Sequence, residues 1–262
     1  ITKKPIIKEI ENINAKGIFV SVGQSGTILT SPNGINWTKR PSGSKQYLRS
    51  ISYGNNIFVS VGESEIISSQ DGINWVQTNQ KYYGIDESLM SITYGKGIFV
   101  AVGRKWDNND KNGMTLFSKD GYEWKKFYHS TDYLRGITYG DGIFISVGSG
   151  GTILTSNNGY TWTNKSSGIE KMLQDVVYRN GVFISVGRGG TIISSSNGII
   201  LDQTLWSKSK NNLNGITYGN ELFVTVGSSG TILTSYDGNN WDKRNSGTNK
   251  TLKKVIYYNG IS

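Results

Sequence analysis

One sentence is written six times along this chain, most legibly at residues 216–241, ITYGNELFVTVGSSGTILTSYDGNNW. A Val-Gly step marks the copies at Gly23, Gly62, Gly103, Gly148, Gly187 and Gly227, so they follow at intervals of 39, 41, 45, 39 and 40 residues. A period of about 40 residues is the length of a supersecondary unit that cannot bury its apolar face alone, and it matches one four-stranded blade of a β-propeller. Residues present in every copy are therefore scaffold first. Function has to be sought where the copies differ.

Each copy divides at its glycines into four short runs, and each run alternates or is β-branched. The first run pairs Leu48 with Ile51, Leu89 with Ile92, Leu134 with Ile137, Leu173 with Val176, Leu213 with Ile216 and Leu252 with Val255; it is expected innermost, against the channel. The second carries Phe19, Phe58, Phe99, Phe144, Phe183 and Phe223 in a nearly continuous apolar stretch, the pattern of a strand buried on both faces. Between them, Tyr-Gly-x-Gly or its equivalent supplies the left-handed residues of a tight hairpin. Thirty-four glycines against three prolines suit short strands and tight turns. The expectation is one all-β domain over residues 1–262, a six-bladed β-propeller of four-stranded antiparallel blades, with ring closure by the terminal strands. Ile10 with Ile13 and the segment from Val255 to Ile261 compete for the innermost place of blade 1. The preferred reading pairs the C-terminal strand with the N-terminal blade. A piece of a longer array is the alternative, on the likeness of Ile1-Thr-Lys-Lys-Pro5 to Trp37-Thr-Lys-Arg-Pro41.

The third turn is the most specific motif: Ser31-Pro-Asn33-Gly34-x-x-Trp37, Ser69-x-Asp71-Gly72-x-x-Trp75, Ser118-x-Asp120-Gly121-x-x-Trp124, Ser156-x-Asn158-Gly159-x-x-Trp162 and Ser235-x-Asp237-Gly238-x-x-Trp241. The fifth copy keeps Ser195, Asn197 and Gly198 and delays its tryptophan to Trp206. Asp or Asn accepts hydrogen bonds from amides of its own turn, the glycine takes the left-handed conformation, and the tryptophan packs between blades. This unit resembles the Asp-box, or BNR, repeat of sialidase-like propellers, and is especially similar to the repeats of photosystem II assembly factor-like propellers. It departs from the usual box in lacking a residue between Asp and Gly, and Asn replaces Asp in three of the six copies. In that family the box is a structural turn remote from any active site, so the resemblance implies fold more than chemistry.

Charge and composition narrow the partners. The net charge of +9 comes from scattered lysines more than from a block, which reads as a solvated rim or as attraction to an anionic surface such as a charged glycan. No repeated basic and aromatic pattern outside the scaffold points to nucleic acid. No apolar run approaches the roughly 18 residues that membrane insertion requires. A cysteine-free chain rich in Lys, Asn and Ile suits an extracellular or cell-surface protein, and the absence of an initiator Met suits a processed or excised chain. A monomer without cofactor or metal is expected.

The copies differ most around blades 2 and 3. Blade 3 inserts Arg104-Lys-Trp106-Asp107-Asn-Asn-Asp110-Lys-Asn112-Gly113 after its second strand. The crossing after blade 2 contains Tyr82, Tyr83, Asp86 and Glu87; that after blade 3 contains Phe127, Tyr128, His129 and Tyr133. In an antiparallel meander these three segments fall on one face. Trp106 alone among seven tryptophans stands outside the scaffold row. The expected ligand site is accordingly Tyr82, Tyr83, Asp86, Arg104, Trp106, Asp107, Asp110, Tyr128 and His129, with aromatic rings stacking on a sugar or gripping a protein loop and the carboxylates orienting hydroxyls or amines. Asn108-x-Asp110-x-Asn112-Gly113 opens like a calcium loop, but Lys119 stands at the twelfth place. One histidine makes no zinc site. A further insertion, Ile199 to Leu205, lies in a turn on the opposite face.

The sialidase resemblance makes hydrolysis the reading to test. It implies a cluster of three arginines, a nucleophilic Tyr with a Glu partner, and an acid. The seven arginines here, Arg40, Arg49, Arg104, Arg135, Arg179, Arg188 and Arg244, are dispersed along the chain, which argues against such a cluster. A non-catalytic binding module for a glycan or protein, surface-exposed or phage-tail-like, is favoured; a sialidase-like glycoside hydrolase and a protein scaffold or assembly factor are the alternatives.

Overall fold

The computed structural model describes residues 18–33, 35–78, 87–106, 112–195, 203–206 and 209–255, with the backbone alone at 203–206. Its regular structure is almost entirely β, in six antiparallel sheets that follow the six copies and fit six blades. Blade 1 holds β1 (Phe19–Val22), β2 (Ile28–Ser31) and β3 (Thr38–Arg40). Blade 2 holds β4 (Leu48–Gly54), β5 (Ile57–Gly62), β6 (Ile66–Ser69) and β7 (Val76–Gln77). Blade 3 follows with β8 (Glu87–Gly95), β9 (Ile98–Lys105), β10 (Gly113–Ser118) and β11 (Lys125–His129). Blade 4 has β12 (Leu134–Gly140), β13 (Ile143–Gly148), β14 (Ile153–Ser156) and β15 (Thr163–Lys165), and blade 5 has β16 (Leu173–Arg179), β17 (Val182–Gly187), β18 (Thr191–Ser195) and β19 (Gln203–Trp206). Blade 6 comprises β20 (Leu213–Gly219), β21 (Leu222–Gly227), β22 (Ile232–Ser235) and β23 (Asp242–Arg244). Neighbours in sequence are neighbours in each sheet.

The core lies between blades, as strands buried on both faces require. Ile57, Val59 and Val61 of blade 2 pack against Phe99, Met114, Leu116 and Trp124 of blade 3. Ile98, Val100 and Val102 of blade 3 repeat the arrangement against Phe144 and Leu154 of blade 4. Each residue so buried contributes about 1.5–3 kcal/mol.

Three backbone devices explain the recurring glycines. In the box turn of blade 2, Asp71 Oδ1 accepts from the amides of Ile73 and Asn74 at 2.8 Å each, while Trp75 Nε1 donates to the Gly72 carbonyl at 3.0 Å. Partial burial acts to raise the Asp71 pKa, but these bonds, with those from the Asn74 and Ser69 side chains, hold it down to about 2. The box glycine is left-handed and touches the preceding blade: a Cβ on Gly121, at φ 79°, would stand 2.8 Å from Val59 Cγ2. In the hairpins, Tyr-Gly-x-Gly supplies the left-handed residues as the sequence pattern implies, but its first glycine does not. The two residues after it do, as at Lys96 (φ 50°) and Gly97 (φ 79°). Gly54, Gly95 and Gly140 instead lie beneath the rings of Tyr94, Tyr139 and Tyr178 of the following blade, where a side chain would collide. The Val-Gly glycine has extended backbone and is needed for space, because it passes directly over the carbonyl of the residue that precedes the inner-strand leucine of its own blade.

Blade 1 shows three strands, because its expected inner strand at Ile10 and Ile13 falls outside the described residues. No described sheet joins the two ends of the chain, and residues 256–262 also lie outside. The closure expected from the terminal strands is therefore not seen. Leu252 N donates to the Gly227 carbonyl at 2.9 Å, the bond that Leu48 N makes to Gly23 at 3.0 Å, so the segment after blade 6 starts as an inner strand does. Val224 of blade 6 stays half-buried where Val59, Val100 and Ile184 are fully buried.

Candidate binding site at the channel mouth

Five inner strands share one irregularity. Pairing with the second strand slips by a residue between Leu48 and Ser50, Leu89 and Ser91, Leu134 and Gly136, Leu173 and Asp175, and Leu213 and Gly215. The residue left over in each is a β-bulge, which re-aims its side chain out of the ladder. Arg49, Met90, Arg135, Gln174 and Asn214, together with Lys253 in the same place after Leu252, line one axial cavity of about 230 Å³. The residue after each Val-Gly step stands at the same end, and this second set includes Glu63, Arg104 and Arg188.

Four arginines from four blades, dispersed along the chain, thereby come within electrostatic range of one another, so their spacing in sequence does not argue against a cluster. Burial, the cation of Arg135 and, less strongly, that of Arg49 push Arg104 down to about 10, against the opposing pull of Tyr133 and Glu63. Burial comes first for Arg135 too, followed by the cations of Arg188 and Arg49. Such mutual repulsion marks a cavity short of negative charge. Arg49 is ion-paired with Glu63 and lies 4.5 Å from the Tyr47 ring centre. Arg104 is held between aromatic faces, 3.2 Å from Trp106 and 4.8 Å from Tyr133. Across the cavity, Lys254 pairs with Asp175 at 2.6 Å, and Asp175 also accepts from Ile216 N at 3.0 Å.

The hydrogen-bond balance points to the same end. Among the described residues, the buried side-chain atoms without a partner are Nε of Arg49, Arg104 and Arg135, Oγ of Ser88 and Ser149, and Oγ1 of Thr131. All belong to blades 2 to 4 or the crossing between them. A buried donor left open costs about 1–3 kcal/mol and calls for a ligand or ordered water.

Of the residues selected from sequence, Arg104 and Trp106 stand at this mouth. Tyr82, Tyr83, Asp86, Asp107 and Asp110 lie outside the described residues, as does most of the insertion at 199–205. Tyr128 and His129 occupy the outer strand β11 and face opposite sides of blade 3. Tyr128 donates to the buried Glu87, which also pairs with Lys126 at 2.7 Å. Burial and the hydrogen-bonded carboxylate of Glu87 raise the Tyr128 pKa, the reverse of what a nucleophilic phenol needs. His129 bonds Thr115 Oγ1 at 2.9 Å and meets the edge of Trp162 of blade 4. Sequence reasoning missed Arg49, Arg135, Arg188, Tyr47, Glu63 and Tyr133 as members of one site. The signal was present as Leu-Arg at 48–49 and 134–135 and Gly-Arg at 103–104 and 187–188.

Burial sets the His129 pKa below its ordinary 6.5, so the unfolded chain binds a proton that the folded one refuses. This costs nothing above pH 6.5, grows as pH falls below it, and is complete below the depressed value. The wild-type unfolding midpoint should therefore fall between pH 7.5 and 5 by more than that of His129→Asn. Thermal melts across that range read the difference cleanly, because the chain has one histidine.

No protein-family profile matches the chain, and no curated protein matches it in sequence. Solved structures do match. YCF48 bound to a D1 peptide is 20% identical with a TM-score of 0.67, over 87% of this chain and 77% of that one. YCF48 from Cyanidioschyzon merolae is 16% identical with a TM-score of 0.69, over 91% of this chain and 85% of that one. The WD40 β-propeller domain of Doa1 is 15% identical with a TM-score of 0.63, over 89% and 78%. At these identities the likeness is one of fold, and the chain has the fold of a β-propeller.

Proposed function

We propose that this chain is a non-catalytic binding propeller whose arginine-lined mouth grips an acidic segment of a protein partner. The observation that carries the reading is the convergence of Arg49, Arg104, Arg135 and Arg188 with three guanidinium Nε atoms buried and unpartnered. Guanidinium groups match carboxylates in geometry, and Arg with Tyr and Trp is the composition of interface hot spots. Tyr47, Trp106 and Tyr133 supply the aromatic part. That YCF48, a propeller of similar shape, is found with a D1 peptide supports a peptide as the ligand class. The architecture that completes this reading is the six-bladed ring, with a terminal strand filling the inner place of blade 1.

Arg135→Ala should weaken binding of an aspartate- and glutamate-rich decapeptide about 30-fold or more, since removing one partner of a buried charge contact costs about 2 kcal/mol or more. Arg244→Ala, on the outer strand of blade 6, should leave it unchanged. Isothermal titration reads both. Binding of a sialylated trisaccharide in place of the peptide would move the reading to a carbohydrate ligand, and hydrolysis of a fluorogenic sialoside above background would overturn the non-catalytic part.

A further inference from the structure

Resting on the anion-binding reading of the mouth, we propose that Glu63 is a built-in competitor: its carboxylate occupies Arg49 in the free protein and must be displaced when an anionic ligand enters. In the set of residues that follow the Val-Gly steps, Gln24, Glu63, Arg104, Ser149, Arg188 and Ser228, Glu63 is the single carboxylate. It sits where two other blades carry arginine. Its partner Arg49 lies on Tyr47 and projects from a bulge into the axial cavity, with Nε still open. The pair thus holds one edge of a cavity-lining guanidinium and leaves the rest of it available.

Exposure decides that this carboxylate moves. The Glu63 side chain is 45% exposed and that of Arg49 25%. An ion pair so placed is worth little to the fold, about 0–1 kcal/mol, and its carboxylate gains full hydration on swinging outward. Asp175, the carboxylate that lines the cavity itself, differs in each respect. Its side chain is 8% exposed, and besides Lys254 it accepts from the Ile216 amide, so it is fixed in the wall. One wall of the mouth therefore carries a permanent negative charge and the other a removable one. A ligand must return to Arg49 the charge that Glu63 withdraws. Single weak anions gain little by that exchange, whereas a multiply charged anion gains the open edges of Arg104 and Arg135 as well.

The test titrates sulfate and, separately, a hexaglutamate peptide into wild type, Glu63→Gln, Glu63→Lys and Arg135→Ala. Glu63→Gln keeps the side-chain shape and should tighten both probes about two- to fivefold; Glu63→Lys should tighten them further and steepen the salt dependence. Arg135→Ala should weaken the hexaglutamate peptide about 30-fold or more, as it does the decapeptide. Equal affinity of wild type and both Glu63 variants, with Arg135→Ala still defective, overturns the competitor and leaves the anion site standing. Absence of binding to every variant overturns both. Unchanged melting temperatures of the Glu63 variants separate release of Arg49 from any effect on folding.

Discussion

Trp124→Ala should lower the unfolding free energy by about 3–5 kcal/mol, the cost of emptying a large buried aromatic site. Trp124 is 2% exposed, its Nε1 donates to the Gly121 carbonyl at 3.2 Å, and it closes the seam in which Val59 and Val61 of blade 2 meet Phe99 and Met114 of blade 3. Alanine there removes the filling between two blades and the hydrogen bond that fixes the box turn together. The same substitution at Trp37 should cost about 1 kcal/mol or less, because Trp37 is 43% exposed. Urea unfolding of the two variants separates them, and equal losses would mean that the row of tryptophans does not owe its stabilising effect to burial.

Gly148→Ala should cost about 3 kcal/mol, at the upper end for overpacking, because the new methyl meets backbone and not a yielding side chain. A Cβ at Gly148 would fall within overlap of the Tyr133 carbonyl oxygen, 2.9 Å from its carbon and 3.1 Å from Leu134 Cα. The strand cannot retreat, since Ser149 N is bonded to that same carbonyl at 2.8 Å. Gly142→Ala is the control: nothing stands within 4 Å of its Cβ position, and its cost, from φ 75° alone, should be about 1 kcal/mol. Gly23 holds the same repeat position as Gly148, yet among the described residues its nearest contact is Thr27 Cβ at 4.0 Å. If Gly23→Ala costs as much as Gly148→Ala in the same melts, an inner strand covers blade 1 as it covers the others; a silent Gly23→Ala would count against the completed blade.

The sequence showed its scaffold through features that act locally. The second strand of each blade is read from its unbroken apolar run, and the box turn from Ser, Asp or Asn, Gly and Trp at fixed spacing, because those residues bond to one another. The Tyr-Gly step was legible only in part, for the opposite reason. Its glycine answers to a ring one blade away, and nothing within its own hairpin reports that. The arginine mouth was illegible for a related cause. Its members stand at two different places in the repeat, after the inner leucine in blades 2 and 4 and after the Val-Gly step in blades 3 and 5, so superposing the copies scatters them. A bulge also reverses the face on which a residue emerges, and simple alternation would have placed Arg49 and Arg135 incorrectly.

The bulge separates two kinds of obligation along each inner strand. Its neighbours, a leucine on one side and the ladder on the other, are committed to packing, while the extra residue owes nothing to the sheet. Arginine, methionine, glutamine and asparagine all occupy that place in this one chain without disturbing the blade beneath. The axis of the molecule is thus a row of interchangeable positions on a fixed frame. A protein built this way can change what it recognises by point substitution, one blade at a time, while the fold that carries the positions stays as it was.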